Sequence, residues 1–383
     1  MNGTVDLLQA ALWNRTIPVT DKNAYDMLMR HSIEALPASI LSQVQMPDDL
    51  RKEWTETIIK QIAYNTHCVY MQNQLPLTVP YVILKGTAAA QYYPYPEYRT
   101  LGDIDIITQR EDFSQAYKEL LENGFRISKE SEREVGFVKN GVEVELHRYF
   151  ASLNDPRQAQ YMDDLLLEHI TPSHILPDEI NGFVLLEHIN QHLEKGLGLR
   201  QIVDWMMFVD KCLTDEKWQA FKVHAEKIGL EKLAISVTRM CEIYLGLPQR
   251  KWSSKANEKL CEHLMNYIMS CGNFGYMREE NMNSIGENVF YWGRTPKSLF
   301  ALLQDRGMAN WKAAQRNTVL KPFAWAYQIF RYLVKGLKRD EASGKIKKEY
   351  ESAKQRSKMF EELGVKQAAK GLAVYREGKY VKR

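Results

Sequence analysis

The chain has 383 residues with 45% hydrophobic and 26% charged side chains, an ordinary balance for a globular protein with a sizeable core. A net charge of +3 is too small to argue for a nucleic-acid partner. That charge is uneven: residues 331–383 hold 16 Lys and Arg against 7 Asp and Glu, a surplus of +9, and the rest carries about −6. The five cysteines form no CxxC pair, which reads as reduced, mostly buried thiols and a cytoplasmic setting. No basic segment followed by an apolar stretch opens the chain, and no apolar run approaches 18 residues, so neither a signal peptide nor a membrane span is expected.

In chain order, residues 1–75 read as an N-terminal helical region, because "DLLQAALW" and "DDLRKEWTETIIKQIAYNTHCVYMQNQ" repeat apolar residues at spacings of three and four. Pro76 and Pro80 end it. Within 76–155, "YVILKG" reads as a buried strand closed by glycine and "RTLGDIDIIT" as a second strand. "REDFSQAYKELLENGF" has a helical period stopped at Gly124, and "VGFVK", Asn140-Gly141 and "VEVELHRYF" form a hairpin with a two-residue turn. From 156 to 335 the pattern is helical, and 336–383 is a basic tail expected as a solvated helix or a partly disordered extension. The polar segment "NFGYMREENMNSIGENVFYWGR" from Asn273 to Arg294 is read as a loop between helices or a lid.

The chemistry concentrates in the second segment. On a strand, residues two apart share a face, so Asp103 and Asp105 project together while Ile104 and Ile106 point into the core. Such a pair on an open strand is ordinarily just solvated. Beside a core, two unpaired carboxylates repel and are expensive to bury, and a divalent cation with a preference for oxygen, Mg²⁺ or Mn²⁺, removes that penalty. Glu145 is the third carboxylate expected, with Glu143 the weaker substitute, because Val142, Val144 and Leu146 face one way and Glu143, Glu145 and His147 the other. Gly86 permits close backbone approach ahead of a helix start, and Lys85 beside it would suit a phosphate. Arg99 is expected on a loop, where it would neutralise phosphate or pair with a carboxylate.

These features resemble the nucleotidyltransferase superfamily that includes DNA polymerase β. More narrowly, "LKG", "YPYPEYRTLGDIDI", "VEVELH" and "GLGLRQIVDW" resemble a bacterial family of uncharacterised nucleotidyltransferases over roughly residues 80–210. The resemblance implies an α+β fold, with a small mixed β-sheet nucleotidyltransferase core inside a mostly helical protein. It implies transfer of a nucleoside monophosphate from an NTP to an acceptor that is a protein side chain, a small molecule or RNA. It also implies Asp103, Asp105 and Glu145 as catalytic metal ligands, Mg²⁺ or Mn²⁺ as cofactor, and Gly86 and Thr87 as the turn that holds the triphosphate. Two departures stand out: Thr87 replaces the usual serine, and Asp103 follows Gly86 by 17 positions, more than the usual spacing.

Other constellations carry a plain reading beside a functional one. His147 would contact a phosphate, orient Glu145 or serve as a hydrogen-bonded structural histidine. His188 and His192 stand four apart on a helix, a spacing that suits zinc, but no third ligand is evident and packing is favoured. Arg200 and Asp204 share a helix face as an ordinary ion pair, or one of them reaches the nucleotide or the acceptor. Nucleic-acid contact by the basic tail is not favoured. The rival from another class is a catalytically inactive nucleotide-binding or partner-binding module that keeps the nucleotidyltransferase fold.

Overall fold

A computed structural model describes residues 2–193, 196–273, 299–317, 319–337, 342–365, 373–376 and 379–382. Apart from Asn273, the expected lid over 273–294 lies outside these residues. The chain divides into two compact units: residues 1–277 with 362–365 and 372–383, and residues 278–361 with 366–371.

The first unit opens with helices α1 (Asn2–Trp13), α2 (Lys22–Arg30) and α3 (Asp48–Asn73). Its centre is a five-stranded sheet of β1 (Tyr81–Leu84), β2 (Ile104–Thr108), β3 (Arg126–Glu130), β4 (Glu134–Lys139) and β5 (Val142–His147). The spatial order is β1-β2-β5-β4-β3, and the β2–β5 pair is parallel while the other pairs are antiparallel. The fold is therefore α+β with a mixed sheet. The parallel pair needs a crossover, supplied by α5 (Phe113–Glu122) and the β3–β4 ribbon. Gly124 follows α5 with φ of +82°, and Asn140 and Gly141 turn the hairpin at φ of +52° and +78°, as a primed two-residue turn requires.

The core of the sheet is apolar on one face. Ile104, Ile106, Val144, Leu146, Val135 and Phe137 pack with Ala116 and Leu120 of α5 and with Cys68 and Met71 of α3. Alternation along β2 and β5 sends Asp105, Glu145 and His147 to the opposite face. There the short α4 (Gly86–Ala90) contacts two helices of the following region, α7 (Asp178–Leu193) and α8 (Leu199–Lys211).

The remaining helices of this unit are α6 (Pro156–Leu167), α9 (Trp218–Lys227), α10 (Glu231–Met240) and α11 (Glu258–Cys271). A second, two-stranded sheet joins β6 (Ala373–Arg376) to β7 (Lys379–Lys382), and β7 contacts α6. Tyr380 is buried there, so the described end of the basic tail is a docked hairpin. Its aromatic residues find partners, Tyr149 packing against both Tyr375 and Tyr380, and this drives the end of the chain onto the body.

The second unit contains helices over 299–310, 312–316 and 324–337 and all but the last residue of one over 342–362. The first and third pack so closely at Gly307 that a Cβ there would fall 1.8 Å from the Ala324 carbonyl oxygen. No helix among the described residues is long and apolar enough to cross a membrane.

Candidate functional site

Strand register assembles the site. Leu84, Asp105, Glu145, Gly136 and Lys129 are successive cross-strand partners, so they form one row on one face of the sheet. The adjacent row is Val82, Ile107, His147 and Glu134. Two carboxylates, an imidazole, a third carboxylate and an ammonium group thus meet on the polar face. Asp105, Glu145 and His147 are 2%, 6% and 2% exposed. One donor atom from each lies within 4.8 Å of the others, and no other such group of His, Cys, Asp and Glu is found among the described residues.

Hydrogen bonds and charge pairs fix these groups. Asp105 Oδ1 accepts from Lys85 Nζ at 2.7 Å and from His147 Nε2 at 2.8 Å. His147 Nε2 is also 3.7 Å from Glu145 Oε2, and Nδ1 is 3.5 Å from Glu134 Oε2. Lys129 Nζ pairs with Glu145 Oε1 and stands 3.5 Å from Glu134. Burial pushes the Asp105 carboxyl up to about 6 and Glu145 to about 7, the latter also raised by the Asp105 charge. Burial, with the Arg133 and Lys85 charges, pulls His147 down to about 3, so its imidazole is neutral.

Lys85 reaches Asp105 from the turn between β1 and α4. Its backbone lies in the left-handed region at φ of +55° and ψ of −140°, a strained conformation of a kind that costs on the order of 1–3 kcal/mol. Gly86 follows at φ of +40°, and a Cβ on it would sit 3.9 Å from the Asp103 carbonyl oxygen, so the turn passes over Asp103. Thr87 is half-buried and its hydroxyl donates to Gln72 Oε1 at 2.7 Å. Strand β2 starts at Ile104, which leaves Asp103 one residue ahead of the ladder and outside the 4.8 Å cluster. Asp103 nevertheless shares its electrostatics: burial opposes its charge, but Lys85, Arg200 and Lys129 hold its carboxyl below the usual range.

A second buried group braces the segment that leads into β2. Arg99 is not on an open loop: its Nε and Nη2 donate to the two oxygens of Asp204 at 3.0 and 2.6 Å. Tyr93 donates to the same carboxylate at 2.7 Å. Asp204 on α8 is thus held by Arg99, 105 residues away. Arg200 is half-buried on the same helix; desolvation and the Arg99 charge lower its basicity, while its own charge favours ionised Asp103. His188 and His192 stack edge to face with centroids 4.7 Å apart, and burial keeps His188 neutral.

Sequence reading missed Lys129, Glu134 and Asn65. The side-chain amide of Asn65 donates to the carbonyls of Glu97 and Arg99 at 2.9 and 3.0 Å, and its Oδ1 accepts from the Leu101 amide at 2.9 Å. Tyr64 adds a bond to the Gly102 carbonyl at 3.0 Å. Both lie on α3, so one helix clamps the segment from Glu97 to Gly102 just ahead of Asp103. A polar Asn amid an apolar stripe was the available signal for that role.

The donor set fits a divalent cation: carboxylate oxygens and a neutral imidazole converge within reach of one ion. Residues 10–246 match the sequence model of a family described as uncharacterised nucleotidyltransferase. No curated protein and no solved structure matches the chain. The match covers more than half of the protein and includes the whole five-stranded sheet and its acidic face, and the chain belongs to the uncharacterised nucleotidyltransferase family.

Proposed function

We propose that the protein transfers a nucleoside monophosphate from an NTP to an acceptor hydroxyl, with a divalent cation held by Asp105 and Glu145 and assisted by Asp103. The observation that carries this reading is the side-by-side placement of Asp105 and Glu145 on parallel strands, buried and facing the Lys85 turn. A donor atom from each of these carboxylates lies within 4.8 Å of the other and of a nitrogen of neutral His147, a grouping that suits a divalent cation.

A bound divalent cation would supply charge neutralisation for the triphosphate and a lowered acceptor pKa. The chain's own contribution is position and charge. Lys85 sits where a phosphate approaching Asp105 would meet an ammonium group, and the Gly86-Thr87 turn offers backbone N–H groups beside it. Glu145, beside Asp105 in the cross-strand row, is placed to take the acceptor's proton. Arg99 and Asp204 brace the segment that leads into Asp103 and Asp105; they act through position, not contact with substrate.

The competing reading, an inactive nucleotide-binding module, has one feature in its favour: Lys85 and Lys129 already neutralise Asp105 and Glu145 without a metal. Incubation with α-labelled NTPs, Mg²⁺ or Mn²⁺ and cell extract separates the two. Label appearing on an acceptor, and lost in Asp105→Asn and Glu145→Gln, supports transfer. Tight NTP binding with no labelled product in any extract sinks it.

A further inference from the structure

We infer that His147 is itself a metal ligand, so that the site is a mixed set of two carboxylates and one imidazole that takes a first-row transition-metal dication, such as Mn²⁺, in preference to Mg²⁺. This rests on the metal-binding reading above and departs from it in the third donor.

The geometry that carries it is local. Among the described residues, the three side chains whose donor atoms lie within 4.8 Å of one another are Asp105, Glu145 and His147, and Asp103 is not one of them. All three are more than nine-tenths buried. His147 Nε2 points at the other two donors, 2.8 Å from Asp105 Oδ1 and 3.7 Å from Glu145 Oε2. A metal takes the imidazole lone pair, so the ring proton must then sit on the other nitrogen. That nitrogen, Nδ1, is buried without a hydrogen bond, and Glu134 Oε2 stands 3.5 Å from it. Moving the proton from Nε2 to Nδ1 would satisfy Nδ1 against Glu134 and free Nε2 for the ion. A carboxylate behind a ligating histidine is the arrangement that holds the ring and its tautomer in metal sites.

The sheet makes the arrangement rigid. Glu134 and His147 are register partners on β4 and β5, and Asp105 and Glu145 are register partners on β2 and β5. No loop has to close to bring the donors together. An imidazole nitrogen is poorly matched to Mg²⁺, which prefers an all-oxygen octahedron, and it is well matched to transition-metal ions.

The test uses the full-length chain stripped with a chelator. Mn²⁺ and Mg²⁺ are titrated calorimetrically with no nucleotide, and the Mn²⁺ form is studied by pulsed electron paramagnetic resonance for coupling to nitrogen. The inference expects a single Mn²⁺ site, at least about tenfold tighter than Mg²⁺, with nitrogen modulation. His147→Gln should remove the modulation and the preference for Mn²⁺. Glu134→Gln should keep the modulation and weaken Mn²⁺ by about 10–100-fold. The wild-type spectrum decides even if His147→Gln fails to fold, because a bound Mn²⁺ without nitrogen coupling overturns the inference while leaving a carboxylate site intact. Coupling that persists in a folded His147→Gln protein also overturns it. Binding of neither ion removes this inference and the metal-dependent reading together.

Discussion

Lys129 reaches Glu145 across the bare backbone of Gly136. The three residues are neighbours in one cross-strand row, and the middle one has no side chain. A Cβ at Gly136 would lie 2.6 Å from Glu143 Oε1, 2.7 Å from Ser128 Oγ and 2.8 Å from Lys129 Cγ. The register shift between Ile127 and Lys129 aims Ser128 and Lys129 at this gap. Glycine in a strand interior is ordinarily a weakness; here it leaves the space through which a counter-ion enters the site.

Gly136→Ala should therefore displace Lys129 and destabilise the protein by about 1–3 kcal/mol, as overpacking does. Lys129→Ala removes one of the three close side-chain atoms, so the double variant should lose less than the sum of the two single losses. Urea denaturation of the four proteins checks this, and strict additivity would refute the steric account.

The Arg99–Asp204 pair is fully buried and bidentate, and removing one partner strands a charge in the interior. Asp204→Ala should cost about 3–5 kcal/mol. Arg99→Lys should also destabilise, because an ammonium cannot reproduce the two parallel bonds. Replacing both with apolar residues of similar size should recover most of the loss. The same variants should slow transfer if the 94–101 segment positions Asp105, which labelled-NTP turnover would measure.

Two further buried acids fix the loop after β5. Asp163 Oδ1 accepts from the Phe150 and Ala151 amides at 3.1 and 2.8 Å, and Glu187 Oε1 accepts from the Ser152 amide at 2.6 Å. Burial outweighs these bonds and raises Asp163 to about 6 and Glu187 to about 7. Both folded values exceed the unfolded ones, so the native state binds more protons across that interval. Their contribution is complete below about pH 4 and is lost as pH rises through 6 and 7. Melting temperature should fall over that window, and Asp163→Asn and Glu187→Gln should flatten the slope. A slope unchanged in both variants would assign the pH dependence elsewhere.

Tyr380 ties the C-terminal hairpin to the same loop, donating toward Asp163 Oδ2 at 2.7 Å and lying 3.1 Å from the Ala151 carbonyl. Tyr380→Phe leaves buried acceptors unsatisfied and should destabilise by about 1–3 kcal/mol. Limited proteolysis should then remove the end of the chain faster. Unaltered protection would mean the aromatic packing with Tyr149 and Tyr375 holds the hairpin alone.

Local patterns in the amino-acid sequence were enough to place Asp105, Glu145 and His147 on polar strand faces, to put a tight turn at Asn140-Gly141, and to set Lys85 and Gly86 at a strand end. Those features depend on a two-residue period and on left-handed backbone, both of which are written in neighbouring residues. Tertiary structure alone decided that β2 and β5 run parallel with Asp105 beside Glu145. It also decided that Asp103 falls one step outside the ladder, and that Asp204 answers Arg99. Strand β3 was illegible because all five of its residues are exposed, with no apolar alternation to mark it, and Lys129 was hidden with it. Which strand pairs with which, and in what register, is set by packing and chain closure over tens of residues, and no short window of sequence carries that information.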